Sequence, residues 1–172
     1  PLRMMRAARF ASQLDFEIEP AVLASIKELA HRISIISAER VRDEFTKILM
    51  SNNPRKGITL LVDTGLADLV LPEIPKLRLE VDEHHHHKDV YEHSITVLEQ
   101  AIEHEDRLGG PNLVIRLAAL LHDIGKPKTR AFIEGGGVSF HHHEVVGARL
   151  AKKRLSELRF DGDTVEAVEL LT

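Results

Sequence analysis

Apolar residues recur three and four positions apart along nearly the whole chain, the spacing that gathers them on one face of an α-helix. Leu2, Met5, Ala8, Phe10 and Leu14 predict an opening helix. Pro20 stands where a first helical turn accepts proline, since the amide it lacks would have no partner there. Val22, Leu23, Ile26 and Leu29 follow it at helical intervals. Ser37 is the expected N-cap of a third helix carrying Arg40, Phe45, Ile48 and Leu49. Pro54 opens a fourth that runs through Ile58, Leu60 and Leu61 towards Gly65, and Leu69, Leu71 and Pro72 close this first bundle.

Residues 73–86 read as a linker, with Pro75, alternating charges and the start of a histidine run. Beyond it Val90, His93, Val97 and Ala101 predict one stripe of a new helix. Asn112 is placed to cap the segment Leu113–Leu121, which is apolar nearly all round with Arg116 as its only charge. A helix of that kind is normally the buried centre of its domain. Gly125 is expected to stop it. Phe132 and Ile133, the triplet Gly135-Gly136-Gly137, then Val138 and Phe140 predict a short hairpin, the only sheet. Two helices follow, near 143–158 and 163–172. The fold class is therefore all-α: a helical bundle over 1–72, and over 87–172 a second helical domain with one short β-hairpin.

Composition narrows the setting. Of 172 residues, 43% are hydrophobic and 29% charged, enough for a real core under a polar surface. There is no cysteine, which excludes disulfides and thiolate metal sites and suits a reducing compartment. No apolar run approaches the roughly 20 residues a bilayer crossing needs, and the start does not read as a signal peptide. The expectation is a cytoplasmic protein without a membrane partner. The chain opens on Pro1 rather than Met and reads as a piece of something longer. Residues 1–56 carry 10 Lys and Arg against 7 Asp and Glu, whereas 57–172 carry 13 against 20, for a net charge of −4. A basic front end is compatible with phosphate contact, and solvated helix faces explain it equally well.

Histidine changes the picture most. Eleven are present, and most cluster, at His84 to His87, His93, His104, His122 and His141 to His143. A mid-chain position argues against a purification tag for the first run. The strongest chemical signal is His122-Asp123-Ile124-Gly125-Lys126-Pro127. Neighbours on a helix diverge by about 100°, so His122 and Asp123 can approach one ion from adjacent directions. Neutral imidazole with carboxylate suits a divalent ion such as Mg, Mn, Fe, Co, Ni or Zn. His93 lies on the apolar stripe of the preceding helix, where the alternative is a core histidine with a hydrogen-bond partner. His143 begins the helix after the hairpin and supplies a third element. Of three consecutive histidines only one or two can face one ion, which leaves His141 and His142 ambiguous.

An early His on one helix, a His-Asp pair ending the next and a later His together resemble the HD superfamily of metal-dependent phosphohydrolases. His85-His86-His87-Lys88-Asp89-Val90-Tyr91-Glu92-His93-Ser94 and the stretch from Phe140 to Ala148 resemble that superfamily's flanking motifs. The resemblance implies His93, His122, Asp123 and His143 as metal ligands and Lys126 near the phosphate. It also implies an ion-activated water attacking a phosphoester, with Asp123 as ligand and proton acceptor. The superfamily's last Asp ligand has no match before Thr172. Asp161 and Asp163 come too early and read as a helix cap, so the ligand set is expected to be incomplete.

The front half carries a second resemblance. Pro1-Leu2-Arg3-Met4-Met5-Arg6-Ala7-Ala8-Arg9-Phe10 resembles the neck of bacterial CCA-adding tRNA nucleotidyltransferases and their poly(A) polymerase relatives, and the neck followed by an HD domain of the His-Asp-Ile-Gly-Lys type looks most like the actinobacterial branch. That family opens this helix with Glu-Asp, two residues and Arg, a template for the incoming base. Only Arg3 of it stands here, and its planar fork of donors suits a cytosine or adenine edge. Ser37-Ala38-Glu39-Arg40-Val41-Arg42-Asp43-Glu44-Phe45 resembles the motif that braces the neck, with Arg40 and Glu44 spaced to pair along one face. Gly65-Leu66-Ala67-Asp68-Leu69-Val70-Leu71-Pro72-Glu73 also resembles the family, in a packing role. The resemblance implies Arg3, Arg6 and Arg40 as nucleotide- or RNA-binding residues. It implies the tRNA 3′ end with CTP and ATP as partners of the intact parent, and a phosphoester at the HD site. The family's catalytic head, with its Gly-Gly loop and Asp-x-Asp pair, has no counterpart, so nucleotide addition is not expected from these residues alone. A stand-alone HD phosphohydrolase and a non-catalytic tRNA-docking module are the alternatives.

Overall fold

Helical periodicity becomes helix almost throughout the computed structural model, which describes residues 1–79, 90–133 and 138–172. The residues form two compact units. The first comprises Pro1–Pro72 with Glu157–Phe160, and the second Glu73–Ser156 with Asp161–Thr172.

In the first unit α1 (Leu2–Leu14), α2 (Pro20–Leu29), α3 (Ala38–Leu49), α4 (Pro54–Asp63) and α5 (Leu66–Val70) follow one another, with a 3-10 segment over Ala30–Ile35. Pro20 and Pro54 open their helices as expected, and Asn53 caps α4 through the Lys56 amide at 3.2 Å. Ser37 stands at the N-cap of α3 in extended backbone, but its side chain makes no capping bond. Helices α1, α3 and α4 pack together around Met5, Ala8, Phe45, Ile48, Leu49, Ile58 and Leu61. Gly57 permits that approach, since a Cβ there would lie 2.5 Å from Ile48 Cγ2. Glu44 departs from the expected pairing with Arg40. Its carboxylate is buried and takes ion pairs from α1, Arg9 Nη1 at 3.1 Å and Arg6 Nε at 3.3 Å. A buried carboxylate must be matched by charge from inside the packing, and α1 lies there whereas Arg40 is exposed.

The second unit begins earlier than a linker over 73–86 would allow. Residues Glu73–Lys76 form α6 and Leu77–Leu79 a 3-10 turn, both packed on α7 (Val90–Glu103) with Ile74 and Leu77 buried. Apolar burial at two positions outweighs the local Pro and charge content that suggested a linker. Glu73 also receives a forked pair from Arg154, whose Nε and Nη2 both lie 3.0 Å from its oxygens. Residues 80–86, with the rest of the histidine run through Asp89, lie outside the described residues.

At the centre is α8 (Leu113–Leu121), capped by Asn112 through the Ile115 amide at 3.1 Å and contacting both α7 and α11 (Gly162–Leu171). Leu117, Leu120 and Leu121 are fully buried. Arg116 is buried too, and Glu105, in a 3-10 turn over Glu105–Leu108, meets its guanidinium at 2.6 and 2.7 Å. After α9 (Lys126–Thr129), β1 (Ala131–Phe132) pairs antiparallel with β2 (Val138–Ser139), Phe132 opposite Val138. This is the only sheet among the described residues, and Gly135 to Gly137 fall outside them. Helix α10 (His143–Glu157) follows, and Asp161 caps α11 through the Thr164 amide at 2.9 Å. The all-α architecture with one hairpin is thus the observed one. Among the described residues, no helix is long and apolar enough to cross a membrane.

Candidate metal centre

The His-Asp sequence sits one step beyond the helix that was expected to carry it. Helix α8 ends at Leu121, and His122 to Gly125 form the turn leading into α9. His122 keeps right-handed helical angles (φ −55°, ψ −31°), so its imidazole and the Asp123 carboxylate still leave the chain in adjacent directions. Gly125 does not end a helix through a left-handed conformation, since its φ of −76° and ψ of −25° are ordinary helical values. Its task is close approach. A Cβ on Gly125 would lie 2.0 Å from the His143 carbonyl oxygen and 2.7 Å from the Gly147 nitrogen. Two glycines, one on the turn and one on α10, thereby let the first turn of α10 press on the His-Asp turn and bring His143 to it.

Asp123 is the hub. Its side chain is 3% exposed, and Oδ2 lies 3.2 Å from His122 Nε2, 3.8 Å from His93 Nε2 and 2.8 Å from Lys126 Nζ. Its other oxygen, Oδ1, lies 3.6 Å from His143 Nε2. The rings of His93 and His122 meet edge to face with centroids 5.2 Å apart. One ligand atom each from His93, His122 and Asp123 falls within 4.8 Å of the others, a group that can hold a metal ion. His93 was expected on the buried stripe of its helix. The buried residues of α7 are instead Val90, Tyr91, Ser94, Ile95 and Leu98, and the His93 side chain is 47% exposed at the edge of the pocket. His141 and His142 are exposed, whereas His143 is half-buried with its Nε2 3.6 Å from Asp123 Oδ1.

Backbone carbonyls set the chemistry of two rings. His122 Nδ1 lies 2.8 Å from the Ala119 oxygen and His143 Nδ1 2.9 Å from the Phe140 oxygen. A carbonyl only accepts, so both rings donate from Nδ1 and, when neutral, aim the Nε2 lone pair at Asp123. Lone pairs facing a carboxylate repel unless a cation lies among them. That donor set, imidazole nitrogens with carboxylate oxygens, matches a divalent transition metal or Mg. No sequence signal marks Ala119, and Phe140, although it opens a stretch resembling a superfamily motif, acts here through its backbone. Burial opposes charge on His122, yet the hydrogen bond and charge of Asp123 prevail and raise its pKa. Burial likewise opposes ionisation of Asp123, but His122 and Lys126 hold its pKa down at about 2. Asp123 is therefore an anion at any physiological pH.

The candidate arginines lie in the first unit. Arg3 and Arg40 are exposed, and Arg6 is exposed with its Nε on Glu44. Arg9, which the sequence reading did not single out, shares Glu44 and lies over the Phe10 ring at 4.4 Å.

A helical unit whose His-Asp turn meets imidazoles from the helices before and after it defines an HD domain. Comparison with known proteins agrees, and extends the assignment to the front of the chain. Residues 90–172 match the family described as HD domain, and residues 15–77 the family described as probable RNA and SrmB-binding site of polymerase A. An A-adding tRNA nucleotidyltransferase of Deinococcus radiodurans is 38% identical over 177 residues, covering 99% of this chain and 40% of that protein. Multifunctional CCA proteins of Neisseria meningitidis and of an Azoarcus species are 33% and 34% identical, over 99% and 92% of this chain and 40% and 38% of theirs. The chain belongs to the tRNA nucleotidyltransferase and poly(A) polymerase family, of which it spans the region matched by these two family models. It spans about 40% of the length of the curated relatives it matches.

Proposed function

We propose that this chain serves a cytoplasmic tRNA nucleotidyltransferase in two capacities, the first unit contacting nucleotide and tRNA and the second acting as a metal-dependent phosphohydrolase. The observation that carries the second is the convergence of three imidazole Nε2 atoms on one buried carboxylate, with two of the rings fixed by backbone carbonyls. His93, His122, Asp123 and His143 would hold the ion. When bound, a divalent ion polarises a phosphoryl oxygen and makes water a competent nucleophile at neutral pH.

The chain's own residues do the rest. Asp123, anionic at neutral pH, takes up a proton from the attacking water, while the Ala119 carbonyl orients His122. Lys126, tethered three residues on, brings an ammonium to the phosphate oxygens, where charge builds as the ester bond breaks.

For the first unit, Arg3 and Arg6 share the exposed face of α1, with Arg40 exposed on α3. Guanidinium forks suit both base edges and phosphates, so these three are the proposed contacts for CTP or ATP and the tRNA 3′ end in the whole protein. Hydrolysis of bis(p-nitrophenyl) phosphate with added Mn or Ni tests the proposal. Ion-dependent turnover should vanish in Asp123→Asn while the fold persists. Turnover that survives that change, or that needs no ion, would remove the hydrolase reading.

A further inference from the structure

We infer that Lys126 is a built-in competitor of the metal ion: its ammonium and a divalent ion contend for Asp123 Oδ2, so that ion binding turns Lys126 out of the ligand group and releases it towards a substrate phosphate. The inference rests on the reading of His93, His122 and Asp123 as ion ligands.

The geometry singles out one oxygen. Oδ2 of Asp123 is the atom nearest both His122 Nε2, at 3.2 Å, and His93 Nε2, at 3.8 Å, so an ion joining these rings to the carboxylate binds through it. Lys126 Nζ already donates to that same oxygen at 2.8 Å. The contact is built in rather than incidental. Lys126 opens α9, its backbone amide bonds the Asp123 carbonyl at 3.0 Å, and its side chain is 22% exposed.

An ammonium and a divalent cation on one carboxylate oxygen are only a few ångströms apart, and a partly desolvated pocket screens their repulsion poorly. The side chain has another contact within reach, because the Phe140 ring centroid lies 5.7 Å from Nζ, within the range of a cation–π attraction. A lysine that leaves Asp123 keeps a cation beside the ion, and the two together suit the spread negative charge of a phosphate. Ion and phosphate should therefore bind cooperatively, each favouring the arrangement in which Lys126 has left the carboxylate.

Calorimetric titration of the full chain with Mn, alone and with millimolar inorganic phosphate, tests this in the parent and in Lys126→Met and Lys126→Gln. Both variants should bind Mn about tenfold more tightly than the parent in the absence of phosphate. Phosphate should tighten Mn binding by about fivefold or more in the parent and leave the variants unchanged. Binding by the variants alone would be the extreme form of the same result. Equal or weaker Mn binding by the variants overturns the competition while leaving the ion site intact. A gain in the Met variant only would trace to the apolar side chain and also overturns it. If neither parent nor variants bind Mn, the competition and the ion site fall together.

Discussion

Replacing Gly125 with alanine would put a methyl group 2.0 Å from the carbonyl oxygen of His143 and 2.7 Å from the nitrogen of Gly147. Real Cβ contacts do not fall below 3.0 Å, so the His-Asp turn and the first turn of α10 would have to part by about 1 Å. The obstructing atoms are backbone and cannot rotate away. Overpacking of this kind costs about 1–3 kcal/mol, and rigid backbone on the far side places this case towards the top of that range. His143 Nε2 would withdraw from its 3.6 Å approach to Asp123 Oδ1 as α10 moves. Thermal unfolding followed by circular dichroism should show a midpoint lowered by roughly 10 °C, and calorimetry should show weaker Mn binding. Gly162→Ala is the control, because no atom lies within 4 Å of a Cβ there, and it should leave both quantities near their parent values. A Gly125→Ala protein as stable as the parent, with the same ion affinity, would refute the account of how α10 is seated.

Three further outcomes follow from the same structure. Arg116→Met removes the guanidinium from the buried Glu105 carboxylate and leaves it the Asn112 amide at 2.9 Å, and should cost about 3–5 kcal/mol in denaturant unfolding. Adding Glu105→Gln should recover most of it, and no recovery would mean that packing rather than charge sets the cost. The Arg116 hydrogen bond, against the pull of burial and with help from the Asn112 amide, holds the Glu105 pKa below the usual carboxylate range. Its stabilisation is therefore complete above about pH 4.3, the unfolded value, and is lost as pH falls towards the folded one. Acid titration of the unfolding free energy should lose this component in Arg116→Met. Because Asp123 raises the His122 pKa despite burial, protons compete with an ion to a higher pH than the ordinary value of about 6.5. Mn affinity should rise between pH 6 and pH 8 by roughly an order of magnitude, with protons released on binding, and a flat profile would contradict His122 as a ligand of the ion.

Periodicity and capping chemistry carried most of the architecture, since Pro20, Pro54, Asn112 and Asp161 act locally and open their helices where the sequence places them. What escaped was decided by partners distant in the chain. Val90, His93, Val97 and Ala101 form as regular a stripe as Tyr91, Ser94, Ile95 and Leu98, and the packing of α8, α6 and the 3-10 turn on α7 selects the second, burying only Val90 of the first. Arg40 and Glu44 are spaced to pair, but α1 presents Arg6 and Arg9 to a carboxylate that is already buried. Residues 73–79 have a linker's composition and become helix because Ile74 and Leu77 find a surface on α7. The His-Asp dipeptide and His143 were visible as residue types, and the structure gathers both around one pocket with His93. The purpose of Gly125 was not visible, because close approach involves a partner eighteen and more residues away and leaves no mark on local conformation.

Anomalous diffraction from crystals of this chain grown with Mn tests the central claim most directly. The account predicts one strong peak per chain among His93 Nε2, His122 Nε2, His143 Nε2 and the Asp123 carboxylate, and the loss of that peak in His122→Ala. A peak bound elsewhere, or one that persists undiminished at the same place in His122→Ala, would contradict it.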